Sequence, residues 1–410
     1  MLVRRMRAVG VVVGCALVSG CVSANSPTKT PSAAPVVTTG PAPGHWHAAW
    51  TRTFASGSET GGIRDVALAG GVLVAASAQG VEALDARTGA TRWRSGSFDR
   101  SGVAALAVSG EQVVIATRGG RWIGVQAATG RVSWRSRPPS GGLIPYYDKL
   151  QSLAGSAVLP VVSVDNRTIR GVDGRTGRIK WSIGRQQLYG CSPDVDWMTR
   201  SGSVETKRYV SGNWLAVPVT CGTRKAVVAV DAASGRAAWR HDTVTPDDSP
   251  QSAASDRFVG INDAGYGVFE RGVRKGAHSL IVEAPSGRVT VALEKAQSYD
   301  TWGPLSPLAS ANGSMVLPIV RGGKHYFSAM ASSGSRGSIL GLAEEVSVAT
   351  FDGARVYEVR KDGSIDVATV GRLAPVAVRP GMKGYAFWVA AGNNTLFVAT
   401  SEGRRGGDGS

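Results

Sequence analysis

The sequence predicts an all-β fold of repeated four-stranded units, on three observations. Glycine is abundant, 54 residues of 410, and spread evenly, which indicates many turns. Val- and Thr-containing runs are broken by Gly, Asn and Asp along most of the chain, the composition of short strands between turns. And one stretch, ALDARTGATRW at 83–93, recurs. It returns as GVQAATGRVSW at 124–134, GVDGRTGRIKW at 171–181 and AVDAASGRAAW at 229–239.

The shared frame is apolar–Asp–x–x–Thr/Ser–Gly–x–x–x–Trp. Asp85, Asp173 and Asp231 open the turn, where a carboxylate accepts a backbone N–H two residues on. Gly89, Gly130, Gly177 and Gly235 supply the positive φ that closes a short hairpin. Trp93, Trp134, Trp181 and Trp239 fall four residues later on the next strand, where a large flat ring can be buried between neighbouring units. Fainter copies follow: IVEAPSGRVTV at 281–291, SAMASSGSRGS at 328–338 and IDVATVGRLAP at 365–375, with turn glycines Gly287, Gly334 and Gly371. Successive turn glycines are 41, 47, 58, 52, 47 and 37 residues apart. Periods of this size, each holding about four strands, indicate the blades of a β-propeller. VALAG, VLVAASAQ and VEALDA are the first three strands of the first blade.

The last strand-like segments, YAFWVAA (385–391) and TLFVAT (395–400), lack a turn–Trp unit of their own. HWHAAWTRTF (45–54) precedes the first complete blade. It is expected to pair with the C-terminal strands and close the ring, which removes an aggregation-prone edge. Seven turns plus this composite blade give eight blades; seven is the alternative. The propeller is expected to span 44–403, with a flexible tail at 404–410.

The repeat resembles that of PQQ-like propellers, whose blades carry an A-x-D-x-x-T-G-x-x-x-W signature. The resemblance is specific in the first four copies and fades after residue 290. It implies the propeller fold. Among activities, it implies either a quinoprotein dehydrogenase or a non-catalytic lipoprotein of the outer-membrane assembly type, since one fold hosts many functions. A dehydrogenase of the alcohol-oxidising branch implies pyrroloquinoline quinone, Ca2+ and a pair of adjacent cysteines. Here Cys191 and Cys221 are far apart in sequence, so no cofactor is expected and the chain reads as non-catalytic.

The N-terminus reads as an export signal. MLVRRMR is a basic n-region and AVGVVVGCALV an apolar core too short to span a bilayer. Val18-Ser19-Gly20-Cys21 then resembles a bacterial lipobox, which implies acylation of the Cys21 thiol and removal of residues 1–20. Arg4-Arg5 leaves Sec and twin-arginine export both open. Residues 21–43, rich in Pro, Ser, Thr and Ala without an aromatic, read as a disordered tether. Cys15 leaves with the signal and Cys21 carries the lipid, so Cys191 and Cys221 remain, and in an exported protein they are expected to form a disulfide.

The formal charge is +16, and loss of Arg4, Arg5 and Arg7 with the leader leaves about +13. The basic residues are scattered, with no dense run and no interleaved aromatic patch, which excludes a nucleic-acid role for an exported chain. Hydrolase chemistry finds no G-x-S-x-G elbow. His45-x-His47, Asp247-Asp248 and Asp194/Asp196 are weighed as metal ligands and read instead as solvated or loop residues, so no metal is expected.

Recognition remains. The longest period precedes Gly235, and its extra length, about 184–212, holds both Cys191 and Tyr189, Trp197, Arg200 and Tyr209; a second aromatic loop holds Tyr146 and Tyr147. Loops on a rigid scaffold are where binding concentrates, and Tyr, Trp and Arg are its common anchors. The sequence therefore reads as a monomeric propeller tethered by lipid to the extracytoplasmic face of the cell membrane, binding a protein partner through these loops. A small-molecule binder in the propeller funnel is the alternative, and a quinone-dependent oxidoreductase the third reading.

Overall fold

The computed structural model describes residues 11–17, 47–54, 63–77, 80–96, 98, 102–117, 119–136, 158–162, 168–194, 209–243, 256–273, 277–284, 287–293, 315–321, 324–330, 339–342, 346–351, 355–360, 364–369, 376–378, 385–392 and 395–401. The described strands form eight antiparallel sheets, and successive sheets follow one another along the chain in a β-propeller.

The first sheet runs β3 (Ile63–Ala69), β4 (Val72–Ser77), β5 (Gly80–Asp85), β6 (Thr91–Ser95), in spatial as in chain order. The second repeats this with β7 (Val103–Ser109), β8 (Gln112–Thr117), β9 (Trp122–Gln126) and β10 (Val132–Ser136). The third shows β11 (Val158–Val162), β12 (Thr168–Asp173) and β13 (Ile179–Gly184). In the fourth, β16 (Trp214–Cys221), β17 (Arg224–Asp231) and β18 (Arg236–Thr243) are joined by two fragments, β14 (Ser192–Pro193) and β15 (Val210–Ser211). The fifth holds β19 (Asp256–Ile261), β20 (Gly267–Val273), β21 (Ala277–Ala284) and β22 (Gly287–Leu293), and the sixth β23 (Met315–Arg321), β24 (Lys324–Met330) and β25 (Ile339–Leu342). The seventh is β26 (Val346–Phe351), β27 (Arg355–Arg360), β28 (Ile365–Thr369) and β29 (Val376–Val378). The last is composite: β30 (Tyr385–Gly392) and β31 (Thr395–Ser401) from the C-terminus, then β1 (Val11–Leu17) and β2 (His47–Phe54) from the N-terminus.

Inner strands are covered on both faces, so they read as near-continuous apolar runs rather than alternating ones. VLVAAS and QVVIAT are buried along nearly their whole length. The core lies between sheets. Val74, Val81 and Ala83 of the first sheet meet Leu106, Ile115 and Ile123 of the second. Ile169 and Trp181 of the third meet Leu215, Val217 and Val228 of the fourth.

The recurring turn locks one sheet to the next. In the first, Asp85 Oδ1 accepts the backbone N–H groups of Arg87 (3.0 Å) and Thr88 (2.9 Å), and the Gly89 N–H donates to the Asp85 carbonyl at 2.8 Å. Arg92 donates to Asp85 Oδ2 at 2.6 Å, and these donors together hold the carboxyl far below its ordinary pKa. The Trp of each outer strand then reaches the following sheet's turn. Trp93 Nε1 donates to Ala127 O (2.6 Å), Trp134 to Gly174 O (3.0 Å) and Trp181 to Ala232 O (2.6 Å). The same rings lie on Gly130, Gly177 and Gly235, where an added Cβ would fall within 2.5–2.8 Å of ring carbons. Each Trp also needs a small residue opposite it on the third strand: Ala83, Gly124, Gly171 and Ala229 occupy that register position. A Cβ on Gly171 would stand 2.1 Å from Trp181.

At the ring closure the structure differs from the sequence expectation. The strand within 45–54 does not meet the C-terminal strands directly. Val11–Leu17 lies between, pairing antiparallel with β2 on one side and β31 on the other. The expectation placed residues 1–20 outside the fold; in the full-length chain seven apolar residues of that segment complete a sheet that otherwise lacks its third strand. The closing sheet still uses the lock: Trp50 Nε1 donates to Ala86 O at 3.1 Å and its ring covers Gly89.

The fifth copy also departs from expectation. Gly287 pairs with Ala284 as a strand residue instead of closing a wider turn. Trp239 finds its acceptor at Gly265 O (2.8 Å), in the turn between β19 and β20, which Asn262 shapes by accepting the N–H groups of Ala264 and Tyr266. The turns at Gly334 and Gly371 lie outside the described residues.

Candidate functional site

The fourth sheet is where the repeat is most altered. Its innermost strand is interrupted. Ser192 and Pro193 pair with Thr220 and Val219, and the Asp194 N–H donates to Pro218 O at 2.8 Å. The chain returns to the same edge at Val210 and Ser211, opposite Leu215 and Trp214. Only Ala216 and Val217 separate these pairings on β16, whereas residues 195–209 separate them on the other side. A long excursion thus leaves and re-enters the sheet at one place, and residues 195–208, with Trp197 and Arg200, lie outside the described residues.

Two clasps hold the base of the excursion. Cys191 and Cys221 are joined by a disulfide, with Cα atoms 4.4 Å apart, tying the start of β14 to the β16–β17 turn. One residue beyond β14, Asp194 takes Lys225 Nζ as an ion-pair partner and accepts Thr220 Oγ1 at 3.1 Å. Asp194, weighed from sequence as a ligand, is thereby committed to a structural clasp.

The turn before this clasp is strained and exposed. Tyr189 has φ +55, a left-handed conformation that costs a non-glycine residue ~1–3 kcal/mol. The turn imposes it: Leu188, buried at 0 %, anchors the segment in the core, the Gly190 N–H donates to Arg185 O at 2.9 Å, and Arg185 Nε donates to Gly190 O at 2.5 Å. Tyr189 is 48 % exposed and Ile179, on the edge strand β13, 49 %; among the described residues these are the exposed large hydrophobics. Arg178, Lys180 and Arg185, on the same strand and turn, are exposed too.

Tyr209 corrects the sequence reading. It is 1 % exposed and stacks on Phe258 with ring centroids 5.2 Å apart, so it anchors the returning chain in the core and presents nothing to a partner. The aromatic cluster there continues through Phe269 to His241, whose ring lies 3.8 Å from that of Phe269. His241 Nε2 meets Asp256 Oδ2 at 2.8 Å, both side chains buried, which joins the fourth sheet to the fifth. Sequence reasoning missed this pair, because residues on different sheets carry no local spacing signal. Tyr146, Tyr147, Cys21, His45 and Asp247-Asp248 lie outside the described residues, as does the side chain of His47.

Other polar features are few. An open cleft between turns of the first three sheets is lined by Glu111, Gln112, Gln126 and Arg175 with small residues between. Among the described residues no three His, Cys, Asp or Glu side chains stand close enough to hold a metal ion. Nor is any helix among them long and apolar enough to cross a membrane.

The chain is similar to several known proteins. Three solved structures illustrate the likeness. BamB from Moraxella catarrhalis is 15 % identical, with 82 % of this chain and 93 % of that one covered and a TM-score of 0.45. A quinohemoprotein alcohol dehydrogenase from Comamonas testosteroni is 13 % identical over 84 % of this chain and 75 % of that one, with a TM-score of 0.44. The computationally designed Ika8 protein is 15 % identical over 84 % and 95 %, with a TM-score of 0.48. No curated protein sequence matches the chain. A family model described as outer membrane protein assembly factor BamB matches residues 77–365, and the chain belongs to that family of PQQ-like propellers.

Proposed function

We propose that this protein is a non-catalytic propeller scaffold that binds a partner protein on the extracytoplasmic face of a membrane, where lipid on Cys21 holds it. The observation that carries this reading is the broken inner strand of the fourth sheet. A regular sheet is interrupted by a long excursion, its base is fixed by a disulfide and an ion pair, and a strained, exposed Tyr189 stands beside it. Rigid scaffolds with such departures are typical recognition platforms, and Tyr is a frequent anchor of protein interfaces. Membership in a family described as an outer-membrane assembly factor supports the same reading.

A quinone-dependent dehydrogenase is the competing reading. In this chain Cys191 and Cys221, the cysteines that neither the leader nor the lipid takes, are consumed in one cross-link within the fourth sheet, so they cannot serve as the adjacent pair of the alcohol-oxidising branch. The two readings separate experimentally. Affinity purification of the full-length protein from membranes, compared with Tyr189→Ala and Ile179→Ala, tests the first. The expected result is a partner protein recovered with the parent and reduced at least tenfold by the double variant. Equal recovery, or dye-linked dehydrogenase activity on adding pyrroloquinoline quinone and Ca2+, overturns it.

A further inference from the structure

The composite sheet contains a strand position that processing would empty. β1 is the third strand, seven residues long, and every residue from Val11 to Leu17 has a partner on both β2 and β31. Cleavage before Cys21, which the proposed function includes and on which this inference rests, removes it.

Its two neighbours are held apart independently. β2 is fixed to the first sheet by Trp50, through Ala86 O and Gly89, and by Arg52, whose Nη2 meets Glu82 Oε1 at 2.8 Å. β31 is fixed by pairing with β30 and by Phe397, 2 % exposed, which packs with Val66, Leu73 and Leu84 of the first sheet. Neighbouring strands stand ~4.8 Å apart, so β2 and β31 are left about two spacings apart, room for one strand. β2 cannot simply move across. It is antiparallel to β1, as β31 is, so β2 and β31 run parallel and their antiparallel ladder could not be restored.

The tether does not match the vacancy either. A strand paired on both sides needs an N–H at every residue, which proline lacks. Pro27, Pro31, Pro35, Pro41 and Pro43 divide residues 22–46 so that no Pro-free run reaches seven; the longest, 22–26 and 36–40, have five.

We propose that the processed protein carries a strand-acceptor slot between β31 and β2, and that its occupant is an extended segment of a partner protein. The segment is at least seven residues long, free of proline and uncharged, and it adds antiparallel to both edges. The leader occupies the slot in the unprocessed chain and shows the register. Affinity would come from main-chain hydrogen bonds to both edges, as in other strand-addition complexes.

The test begins with the intact mass of protein extracted from membranes. A mass that still includes residues 1–20 shows that the leader stays, which refutes both the cleavage reading and the slot. With processed protein, hydrogen exchange is followed over Thr395–Ser401, with and without a synthetic peptide of residues 9–19 carrying Cys15→Ser. The expected result is fast exchange on the side of β31 away from β30, slowed at least tenfold by the peptide. The same peptide with Val12→Pro, which removes one main-chain donor from a strand whose register partners are Thr400 and Thr53, should give no protection. Two outcomes overturn the slot while leaving cleavage standing: β31 already protected without peptide, which means that the chain fills the position itself, or no protection from the peptide.

Discussion

The indole Nε1 of Trp181 donates to Ala232 O at 2.6 Å, and the same ring lies against Gly235, so one side chain joins the third sheet to the fourth. Gly235 has φ +72, and a Cβ there would fall 2.8 Å from Trp181 Cγ. Gly222 offers a matched control, with φ +66 and nothing within 4 Å of the same added atom. Gly222→Ala should therefore cost only the backbone strain, ~1 kcal/mol, and Gly235→Ala about 2–3 kcal/mol, because packing is disturbed as well. Guanidinium unfolding of the two variants reads the difference. Equal costs would mean that the ring does not depend on the glycine.

The disulfide closes a loop with a sequence separation of 30, which on the chain-entropy estimate contributes ~3–4 kcal/mol. Cys221→Ser should lower stability by about that amount and speed hydrogen exchange at the Ser192 and Asp194 amides more than in Val210–Ser211, which lies at the far end of the broken strand. Uniform loosening of both fragments would show that the clasp does not act locally.

Glu358, 2 % exposed, pairs in register with Asp366, a second buried carboxyl held by Arg360. Burial first, and the neighbouring Asp366 charge second, push the Glu358 pKa up to about 8 from an ordinary 4.5. The folded state then keeps a proton that the unfolded chain releases. This contribution is fully present below the unfolded pKa of 4.5 and is lost as pH rises through about 8, at up to ~1.4 kcal/mol per pH unit. Glu358→Gln should remove that decline and be more stable than the parent at pH 8. Unfolding curves across pH 5 to 9 on the order of one unit apart check it; parallel curves for the two proteins would contradict it.

If Cys21 carries the lipid, Cys21→Ser should move the protein from the membrane fraction to the soluble one after export. Retention in membranes would show that something other than acylation holds it there.

How much of this was legible in the sequence follows from how local each signal is. The four strong turns were readable because Asp (Gln126 in the second), Thr or Ser, Gly and Trp recur at fixed spacing within one hairpin. The partner of each Trp was not, since Ala232 and Gly174 belong to the next sheet. Trp50 was hidden for a related reason: no tight hairpin leads into its strand, so no Asp or Gly precedes it at the right spacing. The fifth hairpin departs from the repeat where Trp239 is received instead by the Asn262–Tyr266 turn, which releases that hairpin from its usual duty. At the candidate site, the long fourth period announced an insertion, and the cysteine count announced its cross-link. Neither revealed that the insertion splits an inner strand. Tyr209 and Tyr189 look alike in sequence; only packing assigns one to the core and the other to solvent.

The central claim, recognition of a protein partner beside the broken strand, is tested most directly by photo-crosslinking in intact membranes. p-Benzoylphenylalanine is placed at Tyr189, and at Arg92, an exposed position on the first sheet's outer strand. One discrete protein adduct is expected from position 189 and none from position 92. No adduct at 189, or the same adducts from both positions, would contradict it.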